Sequence, residues 1–225
     1  TPKGEKYCCL MVDVFSGFGM VALRITKEAI GALEAIQLWE RTIGFITTIH
    51  GGHDSETCNK LIMDYEKRMG IDHTWCVPYT PKQGGRIERR YAVLMERTRR
   101  LLILSNQPLY MWGYALKYAN YIYNITVSRG NTVSPYQRCF GRDPDMSMVR
   151  VYGCKVIVWV PKKVREIGGG QKLKERGRVG RYIGVAENHK AALVVMMDSG
   201  KVEVHRNFVS DEKDLNWRAN REELQ

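Results

Sequence analysis

The sequence predicts an α/β domain followed by a small β-barrel, and three observations carry that reading. Apolar strand-like runs alternate with helical periodicity over about residues 5–128. Short strands divided by Gly, Lys and Asn turns then follow over about 65 residues. A Gly-, Pro- and Asp-bearing stretch, residues 130–148, separates the two patterns.

The elements follow in order. "KYCCLMVDV" (6–14) and "GMVALRI" (19–25) are strand candidates, and "SGFG" between them makes the pair a hairpin. "TKEAIGALEAIQLWERTI" (26–43) has near-helical apolar spacing with Thr26 as a candidate N-cap. "GFITTI" (44–49) is a third strand. Asp54 or Ser55 can cap a helix through "ETCNKLIMDYEKRM" that Gly70 closes, and "IDHTWCV" (71–77) is a fourth strand. "PYTPKQGG" (78–85) reads as a loop, and an arginine-studded helix runs through residues 86–105. A further helix, 108–125, carries aromatics at helical spacing, the signature of core packing. "VRVYGCKVIVWV", "GRVGRYIGVA", "KAALVVMM" and "KVEVHRNFV" supply four or five strands of the barrel. The domain expectation is 1–128, a linker 129–148, a barrel 149–212 and a tail 213–225.

A chain of 225 residues buries one sizeable core, or a medium domain plus a small one. The formal charge of +11 favours a polyanionic partner, nucleic acid before membrane, since no lipidation motif or basic amphipathic anchor accompanies it. Apolar runs such as 191–197 are too short to span a bilayer. No signal-peptide pattern is present, and Thr1 in place of an initiator methionine predicts a piece of something longer. The cysteines at 8, 9, 58, 76, 139 and 154 show no C-x-x-C spacing, which argues against a zinc module and for free thiols in a reducing compartment.

Two acids stand out by position. Asp13 ends the first strand, and Glu88 sits near the start of the basic helix, where a carboxylate also complements the helix dipole. In "YCCLMVDVFS" the acid is followed by a serine, and "PYTPKQGGRIER" sets Glu88 behind a Pro/Gly loop. These segments resemble the integrase of copia-type retrotransposons, whose core opens on Y-x-x-x-x-x-D and whose third acid lies in P-x-T-P-x-x-N-G-x-x-E-R. Gly84 replaces the asparagine of that motif. Pro108, Trp112, Ala115, Ala119 and Asn124 follow the family's next helix, and "TVSPYQRCFGRDPDMSMVRVYGCKVIVWVP" resembles the segment leading into its C-terminal barrel. Val14 and Gly17 stand where family members often carry an acid and an arginine.

The resemblance implies an RNase H-like integrase core, a mixed five-stranded sheet with flanking helices, followed by a small SH3-like β-barrel. It implies a D, D, E set holding two Mg²⁺ or Mn²⁺ ions for in-line phosphoryl displacement that joins element DNA to target DNA. Asp13 and Glu88 match the first and third acids and are the metal-ligand candidates. The family's middle motif, I-x-x-D-x-G-x-E-F, fits with Ile49 and Glu56 in register and puts Gly52 at the aspartate. The family interval of 35 residues agrees, since positions 53–87 separate Gly52 from Glu88. Asp54 falls two residues late, displaced about 6–7 Å at strand spacing, and is either a substitute ligand or a plain helix cap. The expectation is an integrase-like strand transferase impaired at the second acid. The alternative is a domesticated or relic DNA-binding or assembly protein without chemistry.

DNA contacts are expected from Lys82, Gln83, Arg86, Arg89 and Arg90 around the basic helix, and from Lys162, Lys163, Lys172, Lys174, Arg176 and Arg178 on the barrel. Residues 150–181 hold ten Lys/Arg against two Glu. The family also implies a homo-oligomer on element ends and target DNA, no membrane role, and an intracellular site, nuclear or in a cytoplasmic particle before nuclear entry.

Overall fold

The computed structural model describes residues 1–51, 59–75, 81–160, 176–186 and 190–215. Strands β1 (Tyr7–Val12) and β2 (Gly19–Arg24) form the expected antiparallel hairpin, with Val12 opposite Gly19. Helix α1 (Ala29–Thr42) follows; its N-cap is Glu28 rather than Thr26, without a side-chain cap bond. Strands β3 (Thr48–Gly51) and β4 (Asp72–Trp75) pair in parallel, as a strand–helix–strand crossover requires. Helix α2 (Lys60–Met69) lies between them, capped by Asn59, whose side chain accepts from Leu61 N at 2.9 Å, and closed by Gly70 in the left-handed region. Asn59 therefore takes the capping role expected of Asp54 or Ser55, which lie outside the described residues.

Helix α3 (Pro81–Leu104) starts earlier than expected. Proline is well suited to the first helical position, where its missing N–H costs nothing, and the glycines that read as a loop are absorbed into the helix. Glu88 consequently stands well inside α3, not in its first turn. A 3₁₀ turn (Leu109–Met111) leads into α4 (Trp112–Ile125), and α5 (Pro135–Phe140) is a short helix capped by Ser134.

The C-terminal region is a single antiparallel five-stranded sheet of β5 (Lys155–Trp159), β6 (Gly177–Val185), β7 (Ala192–Met196), β8 (Val202–His205) and β9 (Phe208–Asp211), in the order β8-β7-β6-β5-β9. The four strands of the first region pair, among the described residues, as two two-stranded ladders. Together these elements form a mixed α/β fold.

The two regions share one core. Met111 of the 3₁₀ turn and Ala115 and Tyr118 on one face of α4 are buried among Tyr152, which precedes β5, and Val156, Tyr182 and Val194 of the sheet. The opposite face, through Leu116 and Ala119, packs on Val21 of the hairpin and Leu94 of α3. Each large aliphatic side chain among them, such as Met111, Leu116 or Val156, stabilises the fold by about 1.5–3 kcal/mol when withdrawn from water. The Tyr182 hydroxyl donates to Met148 O at 2.8 Å and the Tyr118 hydroxyl to Arg150 O, so the aromatic bodies are dry while their polar tips are satisfied. Among the described residues no helix is long and apolar enough to cross a membrane.

Candidate functional site: an acidic turn beside an arginine-lined cleft

Asp13 leaves β1 at the hairpin turn. Its own N–H donates to Phe18 O and its carbonyl accepts from Gly17 N, which closes the turn. Its Oδ2 accepts from the Ser16 amide at 2.7 Å and from the Ser16 hydroxyl. Burial works to raise the Asp13 pKa, but the Ser16 hydroxyl and the turn amides outweigh it and hold the carboxyl below its ordinary value. A carboxyl depressed by folding stabilises the fold above its unfolded pKa, about 3.9, and that stability is lost as pH falls through the folded value. Ser16→Ala should therefore raise the Asp13 pKa and flatten the acid limb of the stability profile. Carboxyl-carbon NMR titration and acid unfolding of both proteins check this. Burial raises the pKa of the Cys139 thiol of α5, outweighing the lowering influence of Ser16.

The base of the turn is clamped by α4. Asn120 and Asn124 both donate through Nδ2 to Gly19 O at 2.7 Å, and Asn124 Oδ1 accepts from Gly19 N at 3.0 Å. Arg90 Nη2 donates to the same two Oδ1 atoms at 2.9 and 2.7 Å, and its guanidinium lies 3.3 Å from the centre of the Tyr123 ring. Gly19 is there because a Cβ would come within 2.8 Å of Arg90 Nη2. Sequence reading missed this clamp, although two asparagines four apart on an otherwise apolar helix are a recognisable signal of buried polar work.

Between the turn, α3 and residues 128–138 lies a cleft of about 780 Å³. Gly85, Arg86, Arg89, Arg90 and Val93 recur at helical spacing and form its α3 wall, and Arg138 stands in its α5 side. Arg86 donates to Val14 O, tying α3 to the turn one residue beyond Asp13. Glu88 is exposed and is not part of this wall.

The DNA-contact candidates divide. Arg86 and Arg89 are exposed on the cleft. Arg90 is not a surface cation: it is 5% exposed, and α4 consumes its Nη2. Arg178 is ion-paired within the C-terminal region: it makes a two-pronged bond to Asp198 at 2.7 and 2.8 Å and pairs with Glu203 at 3.1 Å. Those bonds, to Asp198 above all, raise its pKa. Arg176 is exposed. Lys82 and Gln83 lie in the first turn of α3. Lys162, Lys163, Lys172 and Lys174 lie outside the described residues, as do Gly52, His53, Asp54 and Glu56. Cys8, Cys139 and Cys154 are free thiols, and burial pushes Cys154 up to about 12.

The last described residue of β3 is Gly51, and a Cβ there would meet His73 Nε2 at 3.4 Å. His73 is fixed by Glu66 through Nδ1 at 2.7 Å and stacks on Trp75, centroids 3.7 Å apart. A two-ion site needs three converging carboxylates. Among the described residues no group of three or more His, Cys, Asp or Glu is disposed to hold a metal ion, so the residues on view do not complete such a site.

An acid at the end of a hairpin strand, a long basic helix against it and a five-stranded antiparallel sheet beyond are the features to set beside known proteins. The family model of the retroviral polymerase SH3-like domain matches residues 154–223. The retrovirus-related Pol polyprotein from transposon RE2 of Arabidopsis thaliana is 27% identical over 154 residues, 68% of this chain and 10% of the polyprotein. That from transposon TNT 1-94 of Nicotiana tabacum is 27% identical over 168 residues, 72% of this chain and 12% of the polyprotein. The chain thus spans about a tenth of the length of the curated relatives it matches. For the fold, the simian T-cell lymphotropic virus intasome, solved with the PP2A regulatory subunit B56γ, aligns with 87% of this chain and 68% of its own at TM-score 0.53 and 18% identity. The HTLV-2 integrase catalytic core domain, solved with magnesium in a trimeric form, aligns with 59% of this chain and 84% of its own at TM-score 0.50 and 18% identity. These likenesses support a copia-type retrotransposon integrase region as what this chain resembles.

Proposed function

We propose that this chain grips DNA ends as part of an integrase oligomer, and that its DNA-joining chemistry is impaired because Gly52 takes the place of the second carboxylate. It acts on element ends and target DNA in the nucleus. The observation that carries the reading is the Asp13 turn, held by Ser16 and tied through Arg86 to an arginine-lined cleft. A polynucleotide backbone beside a first catalytic acid needs that combination of one oriented oxygen ligand and neighbouring fixed cations. With Mg²⁺ or Mn²⁺ supplied, Asp13 and Glu88 would offer oxygen donors, and Asp54 is the remaining candidate for a third.

A second reading, a non-catalytic DNA-binding or assembly protein of the same fold, is favoured by the same pairing of retained arginines with a missing acid. One experiment bears on both. Binding to duplex ends should weaken roughly hundredfold between 50 and 200 mM salt if about four phosphates are neutralised, with strand transfer near background. Salt-insensitive binding would contradict DNA recognition, and joining at the rate of a competent integrase would contradict the impairment.

A further inference from the structure

Arg90 is badly suited to filling space. It is buried, and its Nε is shielded from water without a hydrogen-bond partner among the described residues. Its hydrogen-bond and ring contacts are neutral: Asn120 Oδ1, Asn124 Oδ1 and the face of Tyr123. Those three residues stand at i, i+3 and i+4 on α4 and so share one face, which forms a socket for the guanidinium. Taking a guanidinium out of water costs several kcal/mol, and a methionine of similar length would fill the socket without that cost. What the guanidinium adds is a group that donates and cannot accept.

That property settles the orientation of two amides. An asparagine amide is nearly symmetric in shape, and its terminal torsion has two broad settings that exchange its oxygen and nitrogen. Only one setting serves Gly19, whose carbonyl needs a donor. Arg90 Nη2 accepts no hydrogen bond, so it can face only the Oδ1 atoms, and both Nδ2 groups are left on the Gly19 side. At Asn124 the exchanged setting would set Nδ2 against both Arg90 Nη2 and Gly19 N, and oxygen against Gly19 O.

Gly19 is one shoulder of the Asp13 turn. It lies opposite Val12 in the hairpin ladder, and the carbonyl before it, Phe18 O, accepts from Asp13 N. The other shoulder is Val14, whose carbonyl accepts from Arg86. Two arginines one helical turn apart on α3 therefore hold the turn at both ends, Arg86 directly and Arg90 through the asparagines. We infer that Arg90 is a positioning residue: it sets the Asn120 and Asn124 amides and, through Gly19, the turn from which Asp13 presents its carboxylate. The assignment goes beyond the DNA-end reading and rests on it only for the step from a fixed carboxylate to DNA joining.

The test uses the whole chain and two readouts. Nuclear magnetic resonance measures scalar couplings across the Asn Nδ2 to Gly19 O hydrogen bonds, and hydrogen exchange at the Asp13, Gly17 and Gly19 amides. Arg90→Gln, whose amide accepts as well as donates, should remove the couplings. It should also speed exchange at those three amides about tenfold, the weight of about one hydrogen bond, while α1 and α2 exchange as before. Arg90→Lys should restore both signals, because the two bonds come from one nitrogen and an ammonium is likewise donor-only. Asn120→Asp keeps an acceptor for Arg90 and removes one donor to Gly19 O, so it should loosen the same amides even if Arg90→Gln fails to fold. In the Gly52→Asp background, Arg90→Gln should slow DNA joining about tenfold, as a misplaced group does, and Arg90→Lys should recover it. Couplings and protection that survive Arg90→Gln, or exchange that quickens equally in every element, overturn the inference and make Arg90 a packing residue. So does an Arg90→Lys protein that behaves like Arg90→Gln, or an Asn120→Asp protein with exchange unchanged at Asp13 and Gly17. A Gly52→Asp chain that joins no DNA while the resonance signals respond as expected would sink the integrase reading and leave the positioning role standing.

Discussion

Gly52→Asp is expected to raise strand transfer by about a thousandfold or more over the unaltered chain, a change in barrier of about 4 kcal/mol. In the proposed reading two rulers put the second acid at this position: the register from Ile49 to Glu56, and the 35-residue interval to Glu88. The neighbouring residue cannot serve instead. A side chain at Gly51 would face the His73 ring, already held by Glu66 and stacked on Trp75, so an acid there would be spent on an interior contact. A carboxylate at 52 supplies the third oxygen ligand that a hard-cation pair requires, and the charge that offsets two dications beside phosphate. Asp54→Asn in the revertant should leave joining unchanged if Asp54 is only a bystander. Strand-transfer rates for the four proteins (unaltered, Gly52→Asp, Asp54→Asn and the double variant) decide it. A revertant no faster than the parent would show that the block lies elsewhere and favour the non-catalytic reading.

Gly153→Ala should produce the largest loss of stability, about 3–5 kcal/mol, with Tm lower by roughly 10 °C or more for a domain of this size. Two costs add at this residue. Gly153 has φ of 82°, in the left-handed region, where a Cβ meets its own backbone. Its Cβ would also lie 2.2 Å from Ser105 Cβ and 3.3 Å from Ser105 Cα, and that backbone sits at the end of α3. Gly153 cannot move away freely, because its N–H donates to Tyr182 O at 2.8 Å. It is thus the point where the C-terminal sheet is seated on the helices. Gly141→Ala is the control: φ is 66° there but nothing lies within 4 Å of an added Cβ, so only the conformational cost of about 1 kcal/mol is expected. Urea unfolding followed by far-UV and aromatic signals measures both. Equal losses in the two variants would show that the contact with Ser105 carries no weight.

Most of the element order was legible because it depends on local rules. Alternation marked β1 and β2, Gly70 marked the end of α2, and the aromatic spacing of 108–125 marked a helix packed into a core. What that helix packs against was not legible. Tyr118 meets Tyr152 and Tyr182, residues far along the chain, and no periodicity announces such a partner. The start of α3 was misplaced because proline and glycine are read as breakers, whereas proline in the first turn favours helix. At the site, the Asp13 turn could be read from an acid and a serine three residues apart. The fates of the arginines could not. Arg178 is neutralised by Asp198 of the turn after β7 and by Glu203 of β8, and Arg90 is withdrawn by asparagines 30 and 34 residues away. Charge density in a sequence counts cations, while binding depends on the ones left without a counter-charge.

The proposed shortage of converging acids is tested most directly by counting manganese ions, through paramagnetic resonance titration of the unaltered chain and of Gly52→Asp at neutral pH. The account predicts no tightly held ion pair in the unaltered chain and two coupled ions in the revertant. Two tightly held ions in the unaltered chain, lost on Asp54→Asn, would contradict it.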